Sequence, residues 1–527
     1  MDSHAGAIES GTGFDVAIVG GAFAGAATAL MLRRTSPDLR VLIVEAKSAF
    51  DKKVGESAIE LSSWFLTQVL GLDRHLALEQ LPKYGQRFWF NNDRVAGLAD
   101  ASELGNRYQT RVPSYHVDRS VLDEHVLDLA VAAGARLLRP ARVMEAELRE
   151  GDRSTLRVES PAGPLELTAR WIIDATGRRA WLARKLGHLV PMPEHPTRAV
   201  WARYRGVKDL DASWLPGRAD GRGVICSRGL STNHLTGPGW WVWVIPLPGG
   251  EVSVGVVWDE RIFGLPAGET IGQRFETFMR SFPAGRELME RAVRLDDDLH
   301  ALNALPYRVR RVMGDGWAMV GDAAGFIDPF YSPGLDWGSL TVSRTSALVA
   351  KACRMADGRP ARDDIERHNS EFTVGLARWF EALYLDKYYY LGDAELMEVA
   401  LRLEVALYYF GVVTPAYRDG LRGAIVPFSQ PVSLPFYHLM RFANRRLAKL
   451  GKIRMAAGSW GRGNAGRRVL LAGFKLGPSS LRKVPGALAR LALLEAGSIP
   501  DRLAARRRAS ASPTSAQSPG AARATQP

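Results

Sequence analysis

The sequence predicts an α/β protein with a Rossmann-like dinucleotide-binding fold, an inserted antiparallel β lobe and a C-terminal helical region. Three observations predict this architecture. Residues 14–45 follow the pattern strand, glycine-rich turn, helix and strand. Residues 199–259 change to short runs of β-branched and aromatic residues, and residues 360–500 carry helical periodicity with interspersed aromatic residues. Together these segments are typical of a nucleotide-binding domain that carries a separate lobe.

The amino-terminal unit has the spacing of a dinucleotide site. Residues 15–19 form an apolar strand, residues 20–25 a tight turn and residues 26–34 a helix, and a second strand at 40–44 ends at an acid. In such a unit the turn lets the backbone approach a pyrophosphate at the helix N-terminus, while the acid accepts from a ribose hydroxyl. The alternative is an ordinary βαβ unit. The predicted dinucleotide-binding residues are Gly20, Gly21, Ala22, which replaces the usual middle glycine, Gly25 and Glu45.

Composition restricts the class of protein. With 527 residues, 46% hydrophobic and 24% charged, the chain can form a folded protein of two or three lobes. Its two cysteines, Cys226 and Cys353, are not in a CxxC pair, so we expect neither a disulfide framework nor a metal site. We see no secretory leader and no apolar run of membrane-spanning length, and residues 399–413 come nearest to one. These features predict a cytoplasmic location.

The formal net charge of +13 is concentrated near the C-terminus. This basic segment contains Arg441, Arg445, Arg446, Lys449, Lys452, Arg454, Arg462, Arg467, Arg468, Lys475, Arg482 and Lys483. It is interpreted as a solvated helical face, or as a surface for an anionic membrane or an acidic carrier protein. Nucleic acid is not expected as a partner, because the predicted fold gives it no role.

Two further small-residue turns follow apolar strands. Residues 174–177 read DATG and residues 321–325 read GDAAG, and a helix opens after Asp118 between the first turn and these two. In this order the motifs resemble those of the FAD-dependent hydroxylase superfamily, of glutathione-reductase type, over residues 14–355. The resemblance implies that FAD is the cofactor, reduced by a separate flavin reductase or by NAD(P)H. It adds as cofactor-binding residues Arg119, Asp174, Gly177, Gly321, Asp322 and Gly334.

Within that superfamily the chain most resembles the flavin-dependent halogenases, in particular the tryptophan-halogenase type. The resemblance rests on four stretches: residues 54–57 (VGES), 83–88 (KYGQRF), 241–246 (WVWVIP) and 325–334 (GFIDPFYSPG). It implies that Lys83 and Glu56 are catalytic. It also implies that substrate and halide are handled by Trp241, Trp243, Ser332, Pro333 and Gly334.

Three positions depart from the family pattern. Trp240 occupies the place of a glycine that normally opens the tryptophan-rich stretch. Pro333 replaces the threonine of the halide loop and has no N–H to donate to an anion. Tyr331 stands where tryptophan-specific members carry a glutamate, so free tryptophan is not expected as the substrate.

The resemblance predicts halogenation of an electron-rich aromatic or polyene substrate in secondary metabolism, with the substrate free or tethered to a carrier protein. Reduced flavin and O₂ would oxidise a halide, and Lys83, with a pKa lowered by burial, would capture or orient the oxidised halogen. Two other enzymes stay open: an FAD-dependent monooxygenase that needs no halide (hydroxylase or epoxidase), which Pro333 favours, and a flavin-dependent reductase or dehydrogenase of lipid-like chains. A flavin-binding scaffold without chemistry is the non-enzyme alternative.

The changes of pattern along the chain predict its domain organisation. We expect a disordered leader (1–13), the first part of the FAD-binding domain (14–198), a β-rich substrate lobe (199–300), a return segment of the FAD-binding domain (301–355), a helical C-terminal region (356–505) and a disordered tail (506–527).

Overall fold

A computed structural model describes residues 8–212, 215, 226–355, 358, 360–471 and 473–511. Its strands are β1 (Gly13–Val19), β2 (Val41–Val44), β3 (Ser57–Ala58), β4 (Leu81–Pro82), β5 (Gln86–Phe90), β6 (Ser102–Asn106), β7 (Tyr115–His116), β8 (Arg136–Leu138), β9 (Arg142–Glu147), β10 (Ser154–Ser160), β11 (Gly163–Asp174), β12 (Leu189–Pro191), β13 (Thr197–Arg205), β14 (Thr232–Gly237), β15 (Trp240–Pro246), β16 (Val252–Asp259), β17 (Val293–Leu302), β18 (Tyr307–Val309), β19 (Met313–Gly314), β20 (Trp317–Met319) and β21 (Arg468–Leu471).

Its helices are α1 (Phe23–Thr35), α2 (Glu60–Trp64), α3 (Asp73–Glu79), α4 (Arg119–Ala132), α5 (Trp181–Lys185), α6 (Ile271–Ser281), α7 (Pro283–Met289), α8 (Gly334–Cys353), α9 (Arg362–Leu383), α10 (Ala394–Tyr408), α11 (Thr414–Asp419), α12 (Leu434–Ala457), α13 (Val484–Ala496) and α14 (Ile499–Ala511). Both α2 and α10 continue into a π-helical turn, at Phe65–Val69 and Tyr409–Val413.

The first sheet confirms the predicted Rossmann-like unit. Its central strands β20, β11, β1, β2 and β8 are parallel neighbours in that order. The run from Val16 to Val19 in β1 and all of β2 are buried, as expected for strands covered on both faces. Because β2, β1, β11 and β20 are adjacent and parallel, their carboxyl ends bring Glu45, Gly20, Asp174 and Gly321 to the same edge of the sheet.

The second sheet is the predicted antiparallel lobe, but it draws on more of the chain than residues 199–300. Its strand order is β17-β13-β16-β15-β14-β5-β6-β21, and β15 and β16 form the predicted hairpin. Strand β5 pairs in parallel with β14, and β21 pairs in parallel with β6. These pairings join segments distant in sequence, which local patterns do not reveal, so the predicted boundaries of the lobe are corrected.

The C-terminal region is helical, as predicted, apart from the short strand β21. Helix α12 contacts α9, α10 and α14, and α10 also packs against α13. Because α14 continues to Ala511, the first part of the predicted disordered tail is helical, while residues 512–527 lie outside the described residues. At the other terminus, residues 1–7 lie outside them too. The Gly11 N–H donates to the Glu166 carbonyl (2.7 Å), so the predicted leader is ordered just before β1.

Among the helices that the structure describes, none is long and apolar enough to cross a membrane.

Candidate active site

Most of the predicted cofactor residues line one cavity of about 660 Å³ at the carboxyl edge of the first sheet, called here the first cavity. The predicted residues that line it are Gly20, Ala22, Glu45, Glu56, Arg119, Gly177, Trp241, Trp243, Gly321, Asp322, Ser332 and Gly334. Gly21, Gly25 and Asp174 are not among its lining residues, and Lys83 and Pro333 line a second cavity described below.

The glycine turn after β1 is packed too tightly for side chains. A Cβ atom added at Gly20, where φ is +100°, would lie 2.6 Å from the Ala175 carbonyl oxygen. A Cβ atom at Gly25 would lie 1.9 Å from the Gly20 carbonyl oxygen. Gly25 therefore supports the site through close packing of α1, and does not itself face the cavity. The methyl group of Ala22 is tolerated at the N-cap of α1 and lines the cavity.

Glu45 is fixed at the rim of the first cavity. Its carboxylate accepts hydrogen bonds from the Gly21 N–H (2.7 Å) and from the Lys47 N–H (2.8 Å). Gly21 therefore positions the Glu45 carboxylate, which itself lines the first cavity. The arrangement leaves an anionic acceptor at the end of β2, where a ribose is bound in this fold.

Asp174 holds a turn and is not among the residues that line the first cavity. Its buried carboxylate accepts from the Thr176 N–H (2.9 Å), the Thr176 hydroxyl (2.7 Å) and the Leu182 N–H (2.7 Å). Burial raises the pKa of Asp174, and these hydrogen bonds oppose that rise. The result is that Thr176 and Gly177 are presented to the cavity.

Two cations share the buried Asp123 carboxylate of α4 beside the first cavity. The Asp118 carboxylate caps α4 by accepting from the Ser120 N–H (2.9 Å). Arg119 donates to the buried Asp123 carboxylate (2.9 Å), which also pairs with Lys53. Burial opposes ionisation of Asp123, but the two cations outweigh it and lower its pKa. At Asp123 two positive charges surround one negative charge, an arrangement that suits a pyrophosphate. The sequence prediction missed Lys53, which directly precedes the VGES stretch.

Asp322 follows β20 and provides the one acidic side chain of its loop that faces the first cavity. Its carboxylate forms no hydrogen bond with the residues that the structure describes, and burial raises its pKa. The loop itself is fixed, because the Tyr307 hydroxyl donates to the Asp322 carbonyl (2.6 Å) and the Gly321 N–H donates to Thr341 Oγ1 (2.8 Å). An uncommitted acceptor on a fixed loop fits a hydroxyl-bearing chain of a bound cofactor.

Three predicted site residues, Glu56, Trp241 and Trp243, line the first cavity and are hydrogen-bonded to the structure around it. The buried Glu56 Oε1 accepts from Arg203 Nε (2.8 Å) and Nη2 (2.6 Å), whereas its Oε2 has no hydrogen-bond partner among the described residues. Burial raises the pKa of Glu56, and Arg203 opposes that rise. Trp241 and Trp243 both line the first cavity, and the Trp241 indole donates to the Tyr388 hydroxyl (2.9 Å).

Lys83 lines a second cavity of about 640 Å³, whose walls include seven aromatic side chains. Its side chain is 2% exposed, and its Nζ donates to Ser57 Oγ (2.7 Å). Burial lowers the pKa of Lys83 to about 8, while the negative charges of Glu60 and Asp336 act in the opposite direction. An amine with such a pKa is partly unprotonated near neutral pH, as a nucleophilic lysine requires.

The two cavities meet at Lys83 and at the loop before α8. Ser57 lines the first cavity and accepts from Lys83, which lines the second. Likewise Ser332 and Gly334 line the first cavity, whereas Pro333 lines the second. Lys83 and this loop therefore form the partition between the two cavities.

The loop of the partition is held in an uncommon backbone conformation. Tyr331 and Ser332 have φ values of +73° and +60°, in the left-handed region that non-glycine residues rarely adopt. Gln86 Nε2 donates to the Tyr331 carbonyl (3.0 Å), and the Ser332 N–H donates to the Pro329 carbonyl (2.8 Å). The loop is thereby fixed against β5, with Gly334 leaving open space on the side of the first cavity.

Known proteins share sequence and fold with this chain. A family model for the FAD binding domain matches residues 13–237. The flavin-dependent halogenase chlA of Dictyostelium discoideum is 25% identical over 77% of this chain and 70% of its own length. The 1H-pyrrole-2-carbonyl-(peptidyl-carrier protein) chlorinase of Pseudomonas fluorescens is 24% identical over 72% of this chain and 84% of its own. The crystal structure of halogenase PltM with phloroglucinol and FAD shares the fold, with a TM-score of 0.71, 20% identity, and coverage of 92% and 96%.

Fold and site together define an FAD-dependent oxidoreductase. The residues present fit FAD. One cavity is surrounded by the backbone of the glycine turn, the Glu45 carboxylate at the end of β2, the cations Arg119 and Lys53, and the Asp322 carboxylate, which has no hydrogen-bond partner among the described residues. Within that class the chain is similar to flavin-dependent halogenases, at 25% and 24% identity over 77% and 72% of its length.

Proposed function

We propose that this protein halogenates an electron-rich ring or polyene in secondary metabolism, and that Lys83 passes the oxidised halogen to the substrate. The supporting observation is the position of the Lys83 amine, which lines the second cavity and bonds to Ser57 of the first. Bound FAD, once reduced, supplies the O₂ chemistry that oxidises the halide. We propose that its electrons come from a separate flavin reductase or from NAD(P)H, in the cytoplasm.

The proposed role of Lys83 is a halogen relay. The neutral amine takes halogen from hypohalous acid and loses a proton, so that water leaves and an N–halogen bond forms. An electron-rich carbon of the substrate then takes the halogen, and the ring proton lost from that carbon restores the amine. Burial supports this role because it lowers the pKa of Lys83 to about 8. Ser57 would orient Nζ through the hydrogen bond of 2.7 Å.

The second cavity indicates the class of substrate. Its volume of about 640 Å³ is in the usual range for small-molecule sites, and Tyr384, Tyr408 and Phe474 are among its aromatic walls. The related proteins include a tetracycline 7-halogenase of Kitasatospora aureofaciens and the carrier-protein chlorinase named above. We therefore propose a free small molecule or a carrier-protein-tethered ring as the substrate. A free tryptophan is not proposed, because Tyr331 lines this cavity where tryptophan-specific members have a glutamate.

The same proposal gives the basic segment an acidic carrier protein as its partner, in preference to a membrane surface. Several of its cations are already neutralised within the protein, for example Arg446 by Glu495 and Lys452 by Asp386 (2.6 Å). Binding to lipid would need a continuous cationic face, and these ion pairs interrupt it.

A monooxygenase is the second candidate, and one observation favours it. Pro333 has no N–H with which the partition loop could bind a halide, and it lines the second cavity. A monooxygenase, however, has no need for a buried amine between cofactor and substrate spaces.

The decisive experiment identifies the product by mass spectrometry with chloride, with bromide and without halide, using supplied reduced FAD and a panel of phenols and pyrroles. We expect a halogenated product only when halide is present. Lys83→Met should keep FAD and O₂ consumption but lower halogenated product at least about 100-fold, because the relay atom is absent. Lys185→Met, which changes an exposed lysine of α5 outside both cavities, should behave as the unaltered protein.

Two results would contradict the proposal. Halogenated product that survives in Lys83→Met would remove the role of the lysine. An oxygenated product that forms equally well without halide would establish the monooxygenase.

A further inference from the structure

Four cations surround the mouth of the second cavity and are called here the basic rim: Arg111, Lys475, Arg482 and Lys483. Arg111 comes from the loop between β6 and β7, and the other three come from the segment between β21 and α13. The basic rim is therefore built from two chain segments that are remote in sequence and meet at one opening.

The basic rim is unpaired, unlike much of the basic segment. None of its four members forms an ion pair with a carboxylate among the residues that the structure describes. In the rest of the segment, carboxylate partners are provided for Arg441, Arg446, Lys452, Arg454, Arg462 and Arg467. The fold thus neutralises most of the segment outside the rim and leaves positive charge at the cavity mouth.

Acidic side chains inside the second cavity are already occupied. Glu60 Oε1 accepts from the Tyr409 hydroxyl (2.7 Å), and Glu404 pairs with the buried Lys387 (2.7 Å). Lys483 lies half-buried with its Nζ 3.9 Å from the centroid of the Phe474 ring, and burial together with Arg402 lowers its pKa. A bound anion would compensate the charge of Lys483, which the protein itself does not.

We propose that the basic rim binds an anionic group that the substrate carries outside its reacting ring: the phosphate of a pantetheine arm or the carboxylate of a free acid. The ring would enter the aromatic cavity toward Lys83 while the anion stays at the mouth, paired with arginine and lysine side chains. This inference rests on the proposed function, because it assigns the second cavity to the substrate.

Binding of matched probes to the FAD-loaded protein tests the inference without any turnover. Calorimetry would compare 4′-phosphopantetheine with pantetheine, and phenylacetate with phenylacetamide, at about 20 mM and about 200 mM salt. We expect the anionic member of one pair to bind about tenfold more tightly at low salt, and less so at high salt. The double variant Lys475→Ala/Arg482→Ala should lose most of that preference. The control Arg445→Ala/Lys449→Ala changes two exposed cations of the same segment outside the cavity and should keep it.

The outcomes separate the two sources of the anion. Preference for the phosphate pair indicates a pantetheine arm, and preference for the carboxylate pair indicates a free acid. Equal binding of charged and uncharged probes, or an equal loss in the control variant, would overturn the inference. Because binding is measured without reaction, a failure to halogenate would leave this result intact.

Discussion

Replacing Lys83 by methionine should make the folded protein more stable at pH 7, although it removes the proposed halogen relay. The two side chains are of similar length, so packing in the second cavity changes little. What changes is charge: burial lowers the pKa of Lys83 from 10.5 to about 8, so folding disfavours its ionised form. Ser57 keeps a second partner, because Thr232 Oγ1 lies 3.1 Å from its hydroxyl, and is not left unsatisfied.

The expected magnitude follows from the difference in pKa between the unfolded and folded states. Below pH 8 both states carry the charge, and the folded state is disfavoured by about 3 kcal/mol. This penalty falls as the pH rises through the folded pKa and disappears above 10.5. Lys83→Met should therefore raise the free energy of unfolding by about 3 kcal/mol at pH 7 and by roughly 1 to 1.5 kcal/mol at pH 9.5.

Lys387→Met is the matched comparison, because Lys387 is also a fully buried lysine but is paired with Glu404. Its removal leaves a buried carboxylate without its cation and should destabilise the protein by about 3 to 5 kcal/mol. Urea unfolding of the FAD-loaded proteins, followed by tryptophan fluorescence at both pH values, measures the differences. A Lys83→Met protein that is less stable at pH 7, or whose advantage does not shrink at pH 9.5, would refute the reasoning.

Two further predictions concern the cofactor turn and the partition. Gly25→Val should abolish FAD binding, because even a Cβ atom there would lie 1.9 Å from the Gly20 carbonyl oxygen. Flavin absorbance after reconstitution and desalting measures the bound FAD. A Gly25→Val protein that retains full flavin would contradict the prediction. Ser57→Ala removes the acceptor of the Lys83 ammonium and should move the alkaline rise of halogenation, expected near pH 8, about one pH unit lower. Ser63→Ala, an equally buried serine whose hydroxyl has no partner among the described residues, serves as the control, and an unchanged midpoint in Ser57→Ala would count against the contact.

The sequence predicts well where local pattern decides structure. The βαβ unit, the β15–β16 hairpin and the helix after the 325–334 loop all follow from apolar periodicity and turn residues, and the structure confirms them. Most of the cofactor residues that the motifs predict line the first cavity. Asp174 and Gly25 show the limit, because a motif residue can act through packing or turn geometry without facing the ligand.

What the sequence does not reveal depends on contacts between distant segments. The hydrogen bonds that join Arg203 to Glu56 and Thr232 to Ser57 link residues distant in sequence, so local pattern does not predict them. The pairing of β21 with β6 likewise joins the C-terminal region to the lobe. The second cavity is formed from both segments, so its existence was not predictable from any one pattern.

The contrast between Lys83 and Lys387 supports a functional reason for Lys83. Both ammonium groups are removed from water, and burial lowers the pKa of both. Lys387 is compensated by a carboxylate within hydrogen-bond distance, so a structural role explains it. Lys83 has only a neutral hydroxyl within that distance and forms no ion pair with the described residues. A buried cation without such a partner lowers stability, which a purely structural site would avoid with an apolar side chain. Its position between the two cavities is where the proposed chemistry requires an amine.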